Sequence, residues 1–471
     1  MIDTVGKAMV WAASASRVGV AFTTERNPGE TYAHHEALRS LVRAAALAAG
    51  FGDMTPAVPL SSIISPGDVV LLKPNWVLHY NKSGATMDCM VTHPAFILAV
   101  LAEVVAAGAR RVIIADAPIQ SAEFDKLAPP DWCAAAAGIA GKTALDILDF
   151  RSTVSSYQGS MLVSRGGLRD PERFVEFDLG KDSLLERIST PAGRFRNTSY
   201  NADDLARVQR PGVHRFLLCK EPFEVDVVLN LPKLKAHAKA GVTAALKNLV
   251  GINGDKNFLP HHRIGGSAIG GDCYKGFKPF KRIGEALLDA ANRRIGTRGY
   301  VIAGRAGMLM NAVHGGDLEG KWWGNDTTWR MVLDLNRLLV YGDADGKLHD
   351  APRRQVYSLT DAIVAGERNG PLAPEPAPLG AVTFASNSVH ADAAHLALMR
   401  FDIERVPLVR EAFAAMRYPL VAQALGATEV CCDGRRYTLD STAEELGRDF
   451  RPPDGWLGRV EGPSHKRAAT H

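Results

Sequence analysis

Four lysines and one histidine lie within fifteen residues, directly after a short apolar run that ends at turn-forming residues. The run Val225–Leu229 stops at Asn230-Leu-Pro, which is typical of a buried strand followed by a turn. The basic residues are Lys233, Lys235, His237, Lys239 and Lys247. Ammonium groups attract anions, and an imidazole transfers protons near neutral pH. The stretch therefore predicts a site for a small anion, although a solvated basic loop has the same composition.

The spacing of these residues adds to the argument. Lys233, Lys235 and His237 alternate, so their side chains point to one side of an extended chain. Lys247 and Asn248 follow a run that could open a helix, and the amino ends of helices attract anions.

Polar residues also follow the other predicted strands. Val69–Leu72 and Arg111–Ala115 read as strands joined by a helix over 94–108, which is a βαβ unit and implies a parallel sheet. The polar strand ends are Lys73-Pro-Asn75, Asp116, the segment from Asn230 to His237, and Ser386-Asn387. Because parallel strands end at one edge of a sheet, we expect these groups to converge on a single site.

Two histidines are candidates for proton transfer. His93 stands at a predicted helix start, where the helix dipole favours the neutral imidazole, and the lysines around His237 act in the same direction. A histidine that only caps or packs is the alternative. The predicted catalytic residues are His93, His237 and Lys235, and the predicted substrate-binding residues are Lys73, Asn75, Lys233, Lys247, Asn248 and Asp116.

A divalent metal is a second prediction for this region. Two imidazoles and a carboxylate can hold such an ion with open positions, and the candidates are His261, His262 and Asp272. His237 could pair with one of these histidines, and Asp326 and Asp334 could add acids. The lysines oppose a permanent metal because like charges repel.

Three tryptophans, Trp322, Trp323 and Trp329, lie close together in a chain that has seven. They could stack on a sugar or a nucleobase, or simply pack in the protein.

Composition excludes several classes of protein. The chain has 471 residues, 46% of them hydrophobic, and a net charge of +4, which is too even to indicate nucleic-acid binding. No apolar run is long enough for a membrane span, so the cytoplasm is the expected location. The basic residues make a small anionic metabolite the expected partner. The six scattered cysteines predict no iron–sulfur cluster, and no classical NAD or ATP motif is present. The sequence leaves open whether the protein forms a homo-oligomer.

The βαβ unit predicts an α/β protein with a mostly parallel sheet and flanking helices. The chain length favours two lobes, which we expect around a central cleft. The predicted divisions are an N-terminal lobe (1–150), an insertion or cap (151–215), a central site segment (216–282), a C-terminal lobe (283–445) and a polar tail (446–471) that frays. The pattern over 356–366 predicts a join between a strand and a helix.

Several short motifs resemble the domain-of-unknown-function-362 family, in its longer subtype without the ferredoxin-like cysteine segment. They are Leu72-Lys-Pro-Asn75, Thr92-His-Pro94, Leu231-Pro-Lys-Leu-Lys-Ala-His237, the run from Gly241 to Gly251, Leu259-Pro-His-His262, Gly270-Gly-Asp272, Gly324-Asn-Asp-Thr-Thr-Trp-Arg330, Asp334-Leu-Asn336 and Asn369-Gly-Pro371. The resemblance covers about residues 65–415 and supplies no reaction. The lysine–histidine pattern is also loosely similar to lactate racemase-like enzymes, which is an analogy only.

Two functions follow as hypotheses. The first is a biosynthetic enzyme of isomerase, racemase or lyase type that acts on a small anionic metabolite bearing phosphate or carboxylate, with sugar-linked anions among the candidates. The second is a non-catalytic carrier that uses the same lysines to bind an anionic metabolite or cofactor.

Overall fold

The computed structural model describes residues 16–52, 55–158, 161–166, 168–197, 202–295 and 318–468. Its largest element is an eleven-stranded sheet. In chain order its strands are β1 (Arg17–Phe22), β2 (Val69–Pro74), β3 (Arg111–Asp116), β4 (Ala144–Asp149), β5 (Val227–Leu231), β6 (Lys233–His237), β7 (Gly241–Thr243), β8 (Val356–Asn369), β9 (Ala373–Ala385), β10 (Glu429–Cys432) and β11 (Arg435–Tyr437). The longer helices are α1 (His35–Ala48), α2 (Pro94–Ala106), α3 (Pro130–Ala140), α4 (Ala202–Val208), α5 (Pro279–Ile295), α6 (Thr328–Tyr341) and α7 (Ser388–Leu398).

Smaller elements complete the described chain. The short helices are Phe124–Leu127, Glu221–Glu224, Ala245–Asn248, Pro407–Arg410, Leu439–Ser441 and Pro463–Ala468. The strands outside the main sheet are Thr153–Gln158, Met161–Gly166, Phe174–Asp178, Phe195–Arg196, Gln209–Arg210, Val213–Cys219 and His262–Arg263.

The main sheet is mostly parallel, as predicted. Its order is β11-β10-β1-β9-β8-β5-β2-β3-β4, and β6 extends alongside β8 with β7 beside it. The strands β8, β5, β2, β3 and β4 all run in one direction, whereas β9 is antiparallel to both of its neighbours. The α/β fold class is therefore confirmed.

Helices cover both faces of this sheet, which explains the unbroken apolar runs in its central strands. Val70 and Leu72 pack in one core with α1 and α2, while Leu71 packs in a second core with α6 and α7. Successive side chains of a strand point to opposite faces, so one short run supplies both cores.

The predicted lobes share this one sheet. Strand β1 comes from the proposed N-terminal lobe, yet it pairs with β9 and β10 of the proposed C-terminal lobe. In the predicted insertion, Phe174–Asp178 pairs with Val213–Cys219 outside the main sheet, and Phe177 and Phe216 enter the second core. The arrangement of two lobes around a cleft stays a prediction.

One prediction about a strand was wrong. The segment predicted as a strand–helix join is a single fourteen-residue strand, β8, with the charged Asp361 in its interior. Ser386 and Asn387 follow β9, which is antiparallel to β8; its last residue, Ala385, is in register with Ser358 and through it with Asn230 at the carboxyl end of β5. There the Asn387 side chain caps α7 by accepting the Val389 N–H.

The C-terminal segment packs against the fold, so the prediction that it frays was wrong for the described residues. Trp456 is 1% exposed, and its Nε1–H donates to the Ala238 carbonyl at 2.8 Å. Phe450 and Val460 are also buried. This segment therefore supports β6 and the turn after it from behind.

The Trp456→Ala substitution should lower the free energy of unfolding by about 3–5 kcal/mol, because it removes a buried ring and leaves a cavity. Denaturant titration measures this change. Leu457→Ala is the matched control, since its side chain is 58% exposed and should change stability by less than about 0.5 kcal/mol. Equal midpoints for the two variants would contradict the assigned packing.

Candidate functional site

The carboxyl ends of β2 and β3 hold a buried ion pair. The Lys73 ammonium donates to Asp116 Oδ1 at 2.7 Å and to the Asn248 amide oxygen at 3.3 Å. Asn248 in turn donates to the Lys73 carbonyl at 3.1 Å and to Asn230 Oδ1 at 2.7 Å. Four predicted or neighbouring polar residues thus meet at one edge, and Asp116 neutralises the lysine among them.

A second buried ion pair joins β6 to β8. The Lys233 ammonium lies 2.7 Å from Asp361 Oδ2 and donates to the Tyr32 hydroxyl at 3.0 Å. Tyr32 donates to Asp361 Oδ1 at 2.6 Å, and the His93 ring stacks on Tyr32 with 3.7 Å between centroids. The His93 backbone N–H also donates to Asp361. Lys233 and His93 therefore belong to one group that Asp361 organises.

Lys235 lies between these two ion pairs and the remaining basic residues. Its ammonium donates to Asn75 Oδ1 at 2.6 Å and to the Met90 carbonyl. Burial, followed by the repulsion of Lys233, lowers the pKa of Lys235 to about 7. Lys247 also repels it, so Lys235 links the Lys233 group to the residues around Lys247.

Lys235 and several basic residues that follow it lie apart from the carboxylates that serve Lys73 and Lys233, and Lys239 among them interacts with Glu319. We call them the lysine–histidine cluster: Lys235, His237, Lys239, Lys247, Lys256 and His261. In the described part of the chain, Lys235, Lys247 and Lys256 are in ion-pair contact with no carboxylate. Burial, and then Lys256, lowers the pKa of Lys247 to about 7, and burial lowers the pKa of Lys256 to about 8.

The outer members of the cluster face the solvent in part. Lys239, Lys247 and His261 are half-buried, while Lys235 is fully buried and His237 is 3% exposed. Lys239, Lys247 and His261 are therefore the members of the cluster that an anion from solvent can reach. Unbalanced positive charge in a partly desolvated place attracts an anion strongly, because little water screens it.

The hydrogen bonds of the two cluster histidines set opposite tautomers. His237 Nδ1 accepts the backbone N–H groups of Lys239 and Ala240 at 3.0 and 3.1 Å, so a neutral ring carries its proton on Nε2. His261 Nδ1 lies 3.0 Å from the Leu259 carbonyl, which can only accept, so this ring presents an unprotonated Nε2. Burial, and then the nearest lysine (Lys247 for His237, Lys239 for His261), pushes both pKa values well below the usual range. One ring can donate and the other can accept.

The turn that carries Lys247 is held by buried side chains from three other elements. Asp392 accepts the Ala245 and Leu246 N–H groups at 2.7 and 2.9 Å. The amide of Asn230 donates to the Ala245 carbonyl, and that of Asn336 donates to the Leu246 carbonyl. These four bonds fix the backbone from which Lys247 and Asn248 project.

A second polar chain in the core has a different role. His395 bridges Asp392 at 3.0 Å and the Thr383 hydroxyl at 2.8 Å, which is the spacing of a hydrolase triad. All three residues are fully buried, and the Asp392 carboxylate already binds two backbone N–H groups. The hydrogen bonds among Asp392, His395 and Thr383 therefore support the turn that carries Lys247, and the buried Thr383 hydroxyl does not act as a nucleophile.

The three residues predicted as metal ligands are placed less favourably. Asp272 accepts from the Thr327 hydroxyl at 2.6 Å and from the Asp326 N–H at 3.1 Å, and it pairs with Arg263. Within the described ranges, no group of three or more His, Cys, Asp or Glu residues is arranged to hold a metal ion. Metal binding by His261, His262 and Asp272 stays a prediction.

Tyr32, Asp361, Lys256 and Asp392 were missed as site residues. Tyr32 and Asp361 are 329 positions apart in sequence, and Lys233 meets Asp361 only through the pairing of β6 with β8. Lys256 comes nine residues after Lys247 in an irregular segment, and its ammonium donates to the Ala117 carbonyl next to Asp116. The only available sequence signal was a charged residue inside an apolar run, as at Asp361.

A family model described as a domain of unknown function, DUF362, matches residues 70–155 and 171–397. The chain belongs to this family. All twelve residues predicted to be catalytic, substrate-binding or metal-binding lie within the matched ranges of DUF362, whereas Tyr32 lies before them.

Two individual proteins are similar to this DUF362 chain. A thylakoid-associated protein of Synechocystis sp. is 32% identical over 108 residues, which is 23% of this chain and 28% of that protein. A crystal structure of a Thermotoga maritima protein aligns with 73% of this chain and 54% of its own, at 10% identity and a TM-score of 0.31. The first match spans under a third of its relative, and the second is too distant to bear on the fold. Among the described helices, none has the length and apolar composition needed to cross a membrane.

The Asp361→Asn substitution tests the buried ion pair at constant shape. The amide oxygen can still accept from Tyr32, but Lys233 loses its counter-charge, so we expect a loss of about 3 kcal/mol in unfolding free energy at pH 7. The loss should shrink as the pH rises toward the unfolded lysine pKa of about 10.4, because the buried amine is then neutral in both states.

Chemical denaturation at pH 7 and pH 9.5 measures both effects. Glu36→Gln is the control, because Glu36 pairs with Arg39 at the surface and should cost less than about 1 kcal/mol. A cost for Asp361→Asn no larger than that of the control would refute the role given to this pair.

Proposed function

We propose that this protein is an enzyme that transfers a proton on a small metabolite bearing a phosphate or carboxylate. The observation that carries the proposal is the lysine–histidine cluster, in which Lys235 and Lys247, without a carboxylate partner among the described residues, accompany a donating and an accepting imidazole. Lys247 and Lys239 bind the anion, and the buried Lys235 adds positive charge behind it.

The two imidazoles divide the acid–base work in this proposal. His261 Nε2 has a free lone pair and is half-buried, so it takes the proton as a general base. His237 Nε2–H donates a hydrogen bond to the oxygen on which negative charge develops. A neutral imidazole held by backbone hydrogen bonds, with its pKa lowered, is suited to that role.

His93 has a different place in the proposal than the sequence alone suggested. It stacks on Tyr32 beside the Lys233–Asp361 pair, whereas His237 is influenced mainly by Lys247 and His261. A shared site for the two histidines therefore stays a prediction, and His93 would act only on a substrate that reaches Lys233.

The alternative is a carrier that binds the same anion without turnover. Such a protein needs the lysines but gains nothing from opposed tautomers of two neighbouring histidines. The opposed tautomers favour the enzyme, and substitution of the histidines separates the two functions.

Incubation of the protein with a cell metabolite extract in D2O tests the proposal, because reversible proton removal exchanges a carbon-bound hydrogen for deuterium. We expect mass spectrometry to find one anionic metabolite that gains deuterium with the wild-type protein. His237→Asn and His261→Asn should each reduce the rate of exchange by at least about a hundredfold while ligand binding remains.

Two results would count against the enzyme. Binding of an anionic metabolite without deuterium gain would favour the carrier. Exchange that survives both histidine substitutions would remove the cluster from the chemistry. Lys247→Ala should weaken binding of the metabolite, and Lys126→Ala, which removes an exposed surface lysine, is its control.

Anion affinity should fall as the pH rises. Only protonated lysines attract the anion, and the pKa values of Lys235 and Lys247 are about 7 and that of Lys256 about 8 in the free protein. A calorimetric titration with inorganic phosphate or sulfate should give weaker binding at pH 9 than at pH 6.5. Sulfate is the cleaner probe, because its own charge does not change over this range. An affinity for sulfate that is constant with pH would exclude the lysines as its binding groups.

A further inference from the structure

A cavity of about 460 Å³ lies between three segments of the chain: 181–187, 323–330 and 407–417. Its lining residues include no member of the lysine–histidine cluster. This volume is in the range of small-molecule sites. We call it the tryptophan pocket, because Trp323 and Trp329 contribute to its wall.

Buried hydrogen bonds hold the walls of the tryptophan pocket in place. The Ser183 hydroxyl donates to Asp334 Oδ2 at 2.5 Å, and the Leu184 N–H donates to the same carboxylate. Arg330 on α6 donates to the Leu184 carbonyl at 3.1 Å. The 181–187 wall is therefore fixed to α6, and the pocket is formed before any ligand enters.

The tryptophan pocket carries an excess of positive charge. Six basic and four acidic residues line it. Lys181 and Arg187 are exposed and have no ion-pair partner within the described residues. The neighbouring Glu186 does not neutralise Arg187, because its carboxylate lies 3.0 Å from His214 Nε2 and accepts the Gly212 N–H at 2.8 Å. Arg187 is thus free to bind an anion, and Lys181 adds positive charge while it interacts with Glu186.

Trp323 offers a fixed aromatic surface in the same cavity. Its side chain is 38% exposed, and the Arg459 guanidinium lies 4.8 Å from its ring centroid. Trp322 packs edge-on against it at 5.3 Å. These two contacts hold the indole still, so a ring that stacks on it loses little entropy to the protein side.

We infer that the tryptophan pocket binds a phosphate ester that carries a ring, with the phosphate on Lys181 and Arg187 and the ring against Trp323. A sugar phosphate and a nucleotide share this chemistry, because sugars and bases both stack on indole. The inference rests on residues outside the lysine–histidine cluster and does not depend on the proposed reaction.

Titration of protein labelled with 15N-tryptophan tests the inference. The probes are glucose 1-phosphate and adenosine 5′-monophosphate, with glucose, adenosine and inorganic phosphate for comparison, and Trp323→Phe identifies the Trp323 indole signal. We expect that signal to shift with at least one ester, and more tightly than with the uncharged ring or phosphate alone. The ester that binds distinguishes a sugar phosphate from a nucleotide.

Substitutions separate this pocket from the lysine–histidine cluster. Arg187→Ala should weaken the binding of the ester at least about tenfold, because it removes a charge-assisted contact. Arg207→Ala, which removes an arginine whose side chain is 78% exposed, and Lys247→Ala should leave it unchanged. A Trp323 signal that neither ester moves would overturn the inference. So would binding that Lys247→Ala abolishes and Arg187→Ala spares.

Discussion

The structure depends on how the free energy of burying ammonium groups is compensated. An unpaired charge in the interior of a protein is costly, and a carboxylate in direct contact offsets much of that cost. Lys73 and Lys233 have such partners in Asp116 and Asp361. The first pair joins the carboxyl ends of β2 and β3, and the second joins β6 to β8. Lys235 and Lys247 have none within the described chain, and burial lowers their pKa values to about 7. The first two lysines are therefore part of the framework, whereas the half-buried Lys247 belongs to the proposed anion site and the buried Lys235 adds charge behind it.

This division requires a rigid support, because lysines that repel each other would otherwise move apart. Asp392, Asn230 and Asn336 bind every free N–H and C=O of the first half of the Lys247 turn, and Trp456 holds the chain behind His237. The repulsion between the lysines then lowers their pKa values and does not distort the backbone. An anion bound there would raise the lysine pKa values, because a nearby negative charge favours their protonated form.

Sequence patterns predicted the parts of this fold that depend on local order. The strands at 17–22, 69–74 and 111–116 and the helix from Pro94 follow from apolar periodicity and caps, and their bounds differ from prediction by only a few residues. Polar groups after β2, β3 and β5 were predicted to converge, and Lys73, Asp116 and Asn230 do lie together. The role of Asp361 was not predictable, because more than a hundred residues separate strands β6 and β8. No sequence pattern near either strand indicates that they pair. The antiparallel direction of β9 was missed for the same reason.

The tautomers of the two cluster histidines narrow the chemistry that the site can perform. A neutral His237 would become an anion if it gave up its Nε2 proton, so it serves better as a hydrogen-bond donor than as an acid that transfers a proton. His261, whose Nε2 is unprotonated, can take a proton and return it. One base that removes and returns a proton, next to a donor that stabilises the oxyanion, suits isomerisation or elimination beside a carbonyl or carboxylate. Hydrolysis through a covalent intermediate needs an accessible nucleophile, and the buried Thr383 beside His395 does not provide one. The geometry of hydrogen bonds to ring nitrogens, more than the number of lysines, is what favours proton transfer at this site.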